Sequence, residues 1–393
     1  MDRTAEELIA IVRASLSGAP LPAGFTVGDG AALLSLARRQ EMAHLLCVPL
    51  ASARLLPTLP EAVQTEITEV HLRAIVRTAQ LTHELRQISA VLDRLSVPYI
   101  PLKGAALREL WPNPWKRTSC DIDVLVRPED APRAAEALIA ELGYSARSLG
   151  HHDHSLYSPS GVHLELHFSL ALNIPADCVL ARVWEYAAPC GEGSACHRLD
   201  PAFACVYLAA HHAAHLLAGG GGIRPIFDLI FLLRATPPDE ALLNALLAEA
   251  GLAVFFRAVT ELGEAIMLGA TLSTPSKALC EWLLSGRIYG DLDRRAVIRH
   301  TARGDRARRR ARRRYLRTRL FPPRRELSVT YPVLRRAPVL LPFVWCHRWL
   351  SLLFSGRLRL TLRRARAAAR TTDEGVATAA ELLIALELTP PPV

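Results

Sequence analysis

In the stretch KRTSCDIDVLVRPED, two carboxylates, Asp121 and Asp123, stand at the head of an otherwise apolar run. In an extended chain residues i and i+2 share a face, so the two acids project side by side while Ile122, Val124, Leu125 and Val126 supply the buried remainder. Like charges this close repel, and the pair needs a cation between the carboxylates, a shared proton, or open water. Further along, VHLELHF alternates. Val162, Leu164, Leu166 and Phe168 share one face, and His163, Glu165 and His167 share the other. Glu165 is the natural third carboxylate. Three acids on adjacent strands of one sheet offer hard oxygen donors in fixed geometry for two divalent cations, and Mg²⁺ is the default, because it binds through few carboxylates plus substrate phosphates. Mn²⁺ is its alternative.

Positioning these groups falls to a short α/β segment. VPYIPLKG reads as a strand ending at Gly104, AALRELW as a helix, DIDVLV as a strand, PEDAPRAAEALIAELGY as a helix, and HSLYSPSGVHLELHFSL as a hairpin turning at SPSG. The amides at the start of the helix after Gly104, together with Lys103, would suit a polyphosphate. On either side the pattern is helical. Apolar residues recur three and four apart from Thr4 to about Leu95, and again over roughly Ala176–Tyr186, Pro201–Leu217, Ile223–Arg234, Asp239–Leu268 with a break near Gly251, and Pro275–Leu284. The expected class is therefore α+β and mostly helical, with a small mixed sheet embedded between helical regions. Its expected divisions are 1–95, 96–170, 171–300 and 301–393. The glycine run 219–222 lacks the Lys-Ser/Thr of a P-loop.

Strand, Gly, helix, Asp-x-Asp strand and later acidic strand together resemble the polymerase-beta type of nucleotidyltransferase. LKGAALRELW, RTSCDIDVLV, LGY and HLELHFSL resemble, more specifically, an uncharacterised bacterial nucleotidyltransferase family with Leu-Lys-Gly, Asp-Ile-Asp and Glu-Leu-His motifs. The resemblance is strong over about Pro98 to Leu170 and continues more weakly through HHAAH, IRPIFDL and LFPPRRELSVTY. It implies an enzyme that moves a nucleoside monophosphate from a triphosphate, such as ATP, onto an acceptor hydroxyl and releases pyrophosphate. Asp121, Asp123 and Glu165 would hold metal, Glu165 also helping to deprotonate the acceptor. Lys103 and Gly104 would contact phosphate, and Arg117 would neutralise the leaving pyrophosphate. The acceptor side would draw on His167, His211, His215, Arg224 and Asp228. For His211 and His215 the alternative is core packing, and for Arg224 and Asp228, one helical turn apart, an ion pair with each other. One departure stands out: transferases of this fold usually carry Ser directly after the Gly, and here the residue is Ala105. Small molecules, peptides or proteins, and RNA ends all remain open as acceptors. Relatives of that family lying beside natural-product and toxin-like genes hint at peptide tailoring or at RNA modification without choosing between them. No residue specifies the base, and no motif sets the oligomeric state.

The chain has 393 residues, half of them hydrophobic, with a formal charge of +9 that favours an anionic partner. Much of that excess lies between Arg303 and Arg325, for which a solvated helix face, RNA and an anionic membrane surface are the three readings. The eight cysteines form no Cys-x-x-Cys pair, and no signal peptide is evident at the N-terminus; both fit a reduced cytoplasmic protein. The apolar stretch Ala337–Phe354 is broken by Pro342, His347 and Arg348, which favours a buried or interfacial helix over a span and allows peripheral membrane contact. HHDH, His151 to His154, reads as a solvated or acceptor-contacting loop ahead of a zinc site. The closing LTPPPV reads as disordered. A rival from another class is a nucleic-acid or membrane-surface binder on a degenerate nucleotidyltransferase scaffold, in which Arg308 to Arg314 would matter and Asp123 would not.

Overall fold

The structure is a computed structural model that describes residues 1–149, 153–286, 294, 298, 321–324, 327–328, 331, 333–354 and 373–389. The readings made for His151, His152, most of 303–325 and the last four residues lie outside these. The chain divides into two compact units, Met1–Ala214 with Gly221–Ile288, and His215–Gly220 with Tyr289–Val393.

The first unit opens with helices α1 (Arg3–Ser17), α2 (Gly30–Arg39), α3 (Cys47–Ser52) and α4 (Glu61–Arg94). Aspartates cap the first two: Asp2 accepts from Ala5 N, and Asp29 accepts from Ala31 N and Ala32 N, so amides without intrahelical partners are satisfied. Then come β1 (Tyr99–Leu102), α5 (Lys103–Leu107), β2 (Asp121–Val126), α6 (Ala131–Leu142), β3 (Ser145–Leu149), β4 (Asp153–Tyr157) and β5 (His163–His167). Pro132 in the first turn and Gly143, left-handed at φ 70°, bound α6 as its sequence suggests. The sheet order is β1-β2-β5-β4-β3, antiparallel except for β2 with β5.

One face of this sheet packs on α4 and α6. Ile122, Val124, Val126, Leu164 and Leu166 meet Leu81, Ile88 and Leu92 from α4 and Ala134 and Leu138 from α6. Each large apolar side chain fully buried here contributes about 1.5–3 kcal/mol, so the packing fixes the register. A slip of one residue would turn Asp121 and Asp123 into the core.

Helices α7 (Asp177–Leu180), α8 (Pro201–Leu217), α9 (Arg224–Ala235), α10 (Glu240–Ala250), α11 (Ala253–Leu268) and α12 (Thr274–Ser285) follow, close to the expected bounds except for the first. The helix expected over Ala176–Tyr186 is instead one short helix and a 3-10 turn, Val183–Tyr186. That turn leads into a hairpin the periodicity does not reveal, β6 (Ala187–Pro189) with β7 (His197–Leu199). Its strands are too short to show alternation. The helix expected after Gly104 is also shorter: α5 gives way to a 3-10 turn over Arg108–Leu110.

The N-terminal helices grip the rest of the unit through buried polar contacts. Gln40 Nε2 donates to the carbonyls of Leu283, Leu284 and Gly286 while its Oε1 accepts from Ile223 N. His44 Nε2 bonds Lys116 O at 2.9 Å, and Lys116 Nζ donates to Ser15 O.

In the second unit the described elements are α13 (Val333–Arg336), α14 (Leu341–Phe354) and α15 (Asp373–Ala385). Leu327, Leu334 and Val344 form a small core, and Trp345 Nε1 donates to Pro322 O. The apolar stretch is thus a helix with one buried edge, while Phe343 is 71% exposed. Among the described residues no helix is long and apolar enough to cross a membrane.

Candidate active site

The parallel pairing of β2 with β5 sets Asp121 beside His163 and Asp123 beside Glu165. On the face away from α4 and α6 this creates two overlapping donor sets, Asp121–His163–Glu165 and Asp123–Glu165–His167, each with its donor atoms within 4.8 Å of one another. His163 was visible on the polar side of the alternating strand, but its part in a donor set depends on the register.

Lys103 enters from the end of β1. Leu102 lies opposite Asp123, and Lys103 follows with φ +46°, a left-handed backbone costing of order 1 kcal/mol or more for a residue with a Cβ. Its Nζ donates to Asp123 Oδ1 at 2.8 Å, and His167 Nε2 approaches the same oxygen at 2.9 Å and Glu165 Oε2 at 3.3 Å. Burial opposes ionisation of Asp123, but the Lys103 charge and the His167 hydrogen bond outweigh it and hold the carboxyl well below the usual range. Burial, followed by the Asp123 and Glu165 charges, pushes Asp121 up. The His167 hydrogen bond lowers Glu165 against its own burial. Burial would lower His167, yet its bonds to Asp123 and Glu165 raise it to about 9. Three carboxylates therefore face two cations, and the surplus is negative.

Gly104 lies against the loop before β2. A Cβ there would come within 3.0 Å of Ser119 Oγ and 3.6 Å of Arg117 Nη1, so any larger residue would have to push Ser119 aside by a few tenths of an ångström. Ser119 Oγ accepts from Arg108 Nη2 and donates to Asp121 O, tying this turn to the first carboxylate. Ala105, standing where the fold usually has Ser, packs against the sheet core.

The remaining candidates are placed differently from one another. Arg117 and Asp228 are paired and buried: Arg117 Nε donates to Asp228 Oδ1 at 2.7 Å, and Trp111 Nε1 donates to the same oxygen at 3.0 Å. The ion pair expected between Arg224 and Asp228 does not form, because Arg224 Nη1 donates to Glu41 Oε2 at 2.5 Å and to Thr118 O. Helical spacing brought the two within reach, but a better-placed partner from another segment captured each. His211 sits on α8 with its ring 6.2 Å from that of Tyr207, and His215 lies one turn on, in the second unit.

Tyr207 is the residue that the sequence reading missed. It is 3% exposed, and its hydroxyl is pushed up by burial and feels the charges of Lys103, Asp123, Glu165 and Asp121. Nothing in the apolar run CVYLAA marks it; only the packing of α8 beside β1 and α5 does. Lys103 and Tyr207 also form part of the wall of a cavity of about 540 Å³ between α5, α8, α9 and the β6–β7 hairpin.

A small mixed sheet flanked by helices, with an Asp-x-Asp strand paired in parallel to a Glu-bearing strand and a Lys-Gly turn beside them, is the arrangement of a nucleotidyltransferase. Residues 28–267 match the family described as uncharacterised nucleotidyltransferase, and the chain belongs to that family. Nothing matches among curated proteins or among solved structures.

Proposed function

We propose that the protein is a metal-dependent nucleotidyltransferase that moves a nucleoside monophosphate from a nucleoside triphosphate to an acceptor hydroxyl. The observation carrying this reading is the pair of overlapping donor sets across β2 and β5, with their surplus of carboxylate. Donor sets dominated by carboxylate oxygens fit Mg²⁺ or Mn²⁺ better than a soft metal, and the excess negative charge calls for a cation. Bound there, a divalent cation would withdraw charge from the phosphoryl oxygens and acidify the acceptor hydroxyl.

The protein's own groups divide the remaining work. Asp121 and Asp123 hold the metal, and Glu165 completes the set and takes the hydroxyl proton. Lys103, its side chain one-fifth exposed and its Nζ already directed at Asp123, steadies a phosphate oxygen beside the Gly104 turn. Arg117, paired with Asp228 and donating to Thr118 O, supports that turn. His167 keeps a proton at Nε2 between Asp123 and Glu165 and borders the acceptor side with His211. The oxygen–phosphorus bond to the acceptor forms as the bond to the bridging oxygen breaks, and pyrophosphate leaves with the electron pair.

Calorimetric titration of the four triphosphates, with and without Mg²⁺ or Mn²⁺, tests this reading on wild type and Asp123→Asn. Binding that needs both metal and Asp123 is the expected result. Equal binding by the variant, or none by the wild type, refutes it.

A further inference from the structure

Apart from Lys103, no residue lining the cavity beside Tyr207 has a part in the chemistry just described. It contains none of the three carboxylates and neither His163 nor His167. Its walls are mainly Ala106, Leu107, Leu110, Ala204, Leu208 and Leu232, and its polar side chains are Lys103, Tyr207, Thr236 and, on the hairpin, His197 and Arg198. Such a wall offers few partners for the hydrogen-bonding edge of a nucleobase, and an unpaired polar edge buried there would cost about 1–3 kcal/mol per group. It is equally unsuited to a triphosphate, whose charge belongs with Lys103 and the metal. An aliphatic or aromatic body of modest size is what it accommodates.

Given the transferase reading, we infer that this cavity holds the apolar body of the acceptor. The acceptor is then amphipathic, a hydroxyl carried on an apolar group, with the hydroxyl passing Lys103 and Tyr207 to reach Glu165 and Asp121. Lys103 ties the two compartments together, since it lines the cavity while its Nζ is on Asp123.

The test uses 8-anilinonaphthalene-1-sulfonate as a fluorescent probe and straight-chain alcohols from butanol to octanol as competitors. The alcohols should displace the probe with affinity rising about fourfold per methylene, the increment expected for apolar burial. Ala204→Phe fills the cavity from α8 and should remove the chain-length dependence. Thr236→Trp narrows it from an exposed position just past the end of α9, away from the core, and should weaken it in the same sense. An acceptor must share the enzyme with its triphosphate, so saturating Mg²⁺-nucleotide should leave the alcohols bound. Displacement of the alcohols by nucleotide would assign the cavity to the nucleoside and overturn the inference. So would probe binding that neither variant alters. Nucleotide binding is followed separately by calorimetry on the same samples. Its absence from the wild type would remove the transferase reading and this inference together, whereas failure in the probe experiment with nucleotide binding intact removes the inference alone.

Discussion

Two regions of the first unit bury charge and end in opposite conditions. Where the N-terminal helices meet the loop before β2 and helix α9, Arg117 pairs with Asp228 and Arg224 with Glu41, and Trp111 and Thr118 O take up further hydrogen-bonding capacity. On the open face of β2 and β5, Asp121, Asp123 and Glu165 outnumber Lys103 and His167. A matched set of charges holds segments together, and taking one member away leaves its partner stranded in low dielectric. An unmatched set invites a further cation, and its removal costs function before it costs folding. Buried charge in one protein can therefore be mortar or machinery, and the balance of signs tells them apart.

Mutation should separate the two regions most clearly at Asp123. Asp123→Asn is expected to lower nucleotidyl transfer on the order of 10⁴-fold, about 5.5 kcal/mol of transition-state stabilisation, while urea unfolding shifts little. Asp228→Ala should do the reverse, losing about 3–5 kcal/mol of stability in the same unfolding experiment because Arg117 is left buried without its counter-charge. If Asp123→Asn unfolds the protein and Asp228→Ala leaves it stable, the comparison is inverted.

Acid should also find the closed region first. Burial lowers His44 from 6.5 to about 4, a shift that its hydrogen bond to Lys116 O only partly offsets. Between those values the unfolded chain binds the extra proton. Stability that is present above pH 6.5 is therefore lost as the pH falls toward 4, by about 3 kcal/mol. His44→Gln can keep a donor to the carbonyl without titrating, and its unfolding free energy should be flatter across that range. The smallest effect concerns the open face. Mg²⁺ at a hundredfold excess over its Kd should stabilise the wild type by about 2.7 kcal/mol in thermal unfolding, and Asp123→Asn should show no such gain.

Much of this site could be read along the chain. DIDVLV forms β2 with the expected bounds, HLELH forms β5 with Glu165 on the polar side, and Pro132 and Gly143 bound α6, because alternation and capping are local properties of the backbone. Partner choice is not local. Arg224 and Asp228 satisfy the helical spacing rule yet bond Glu41 and Arg117, residues far away in sequence. Tyr207 carries no motif at all. The hairpin β6–β7 escaped because three-residue strands have no period to detect.

The sequence by itself determined the three carboxylates and the faces they occupy, since each follows from residue type and spacing. Only the tertiary structure decided that β2 and β5 run parallel, which of the buried charges are matched, and that α5, α8, α9 and the β6–β7 hairpin line a mainly apolar cavity next to Lys103. Those outcomes depend on which distant segments compete for the same partner, and the free energy that settles the competition lies in packing between elements.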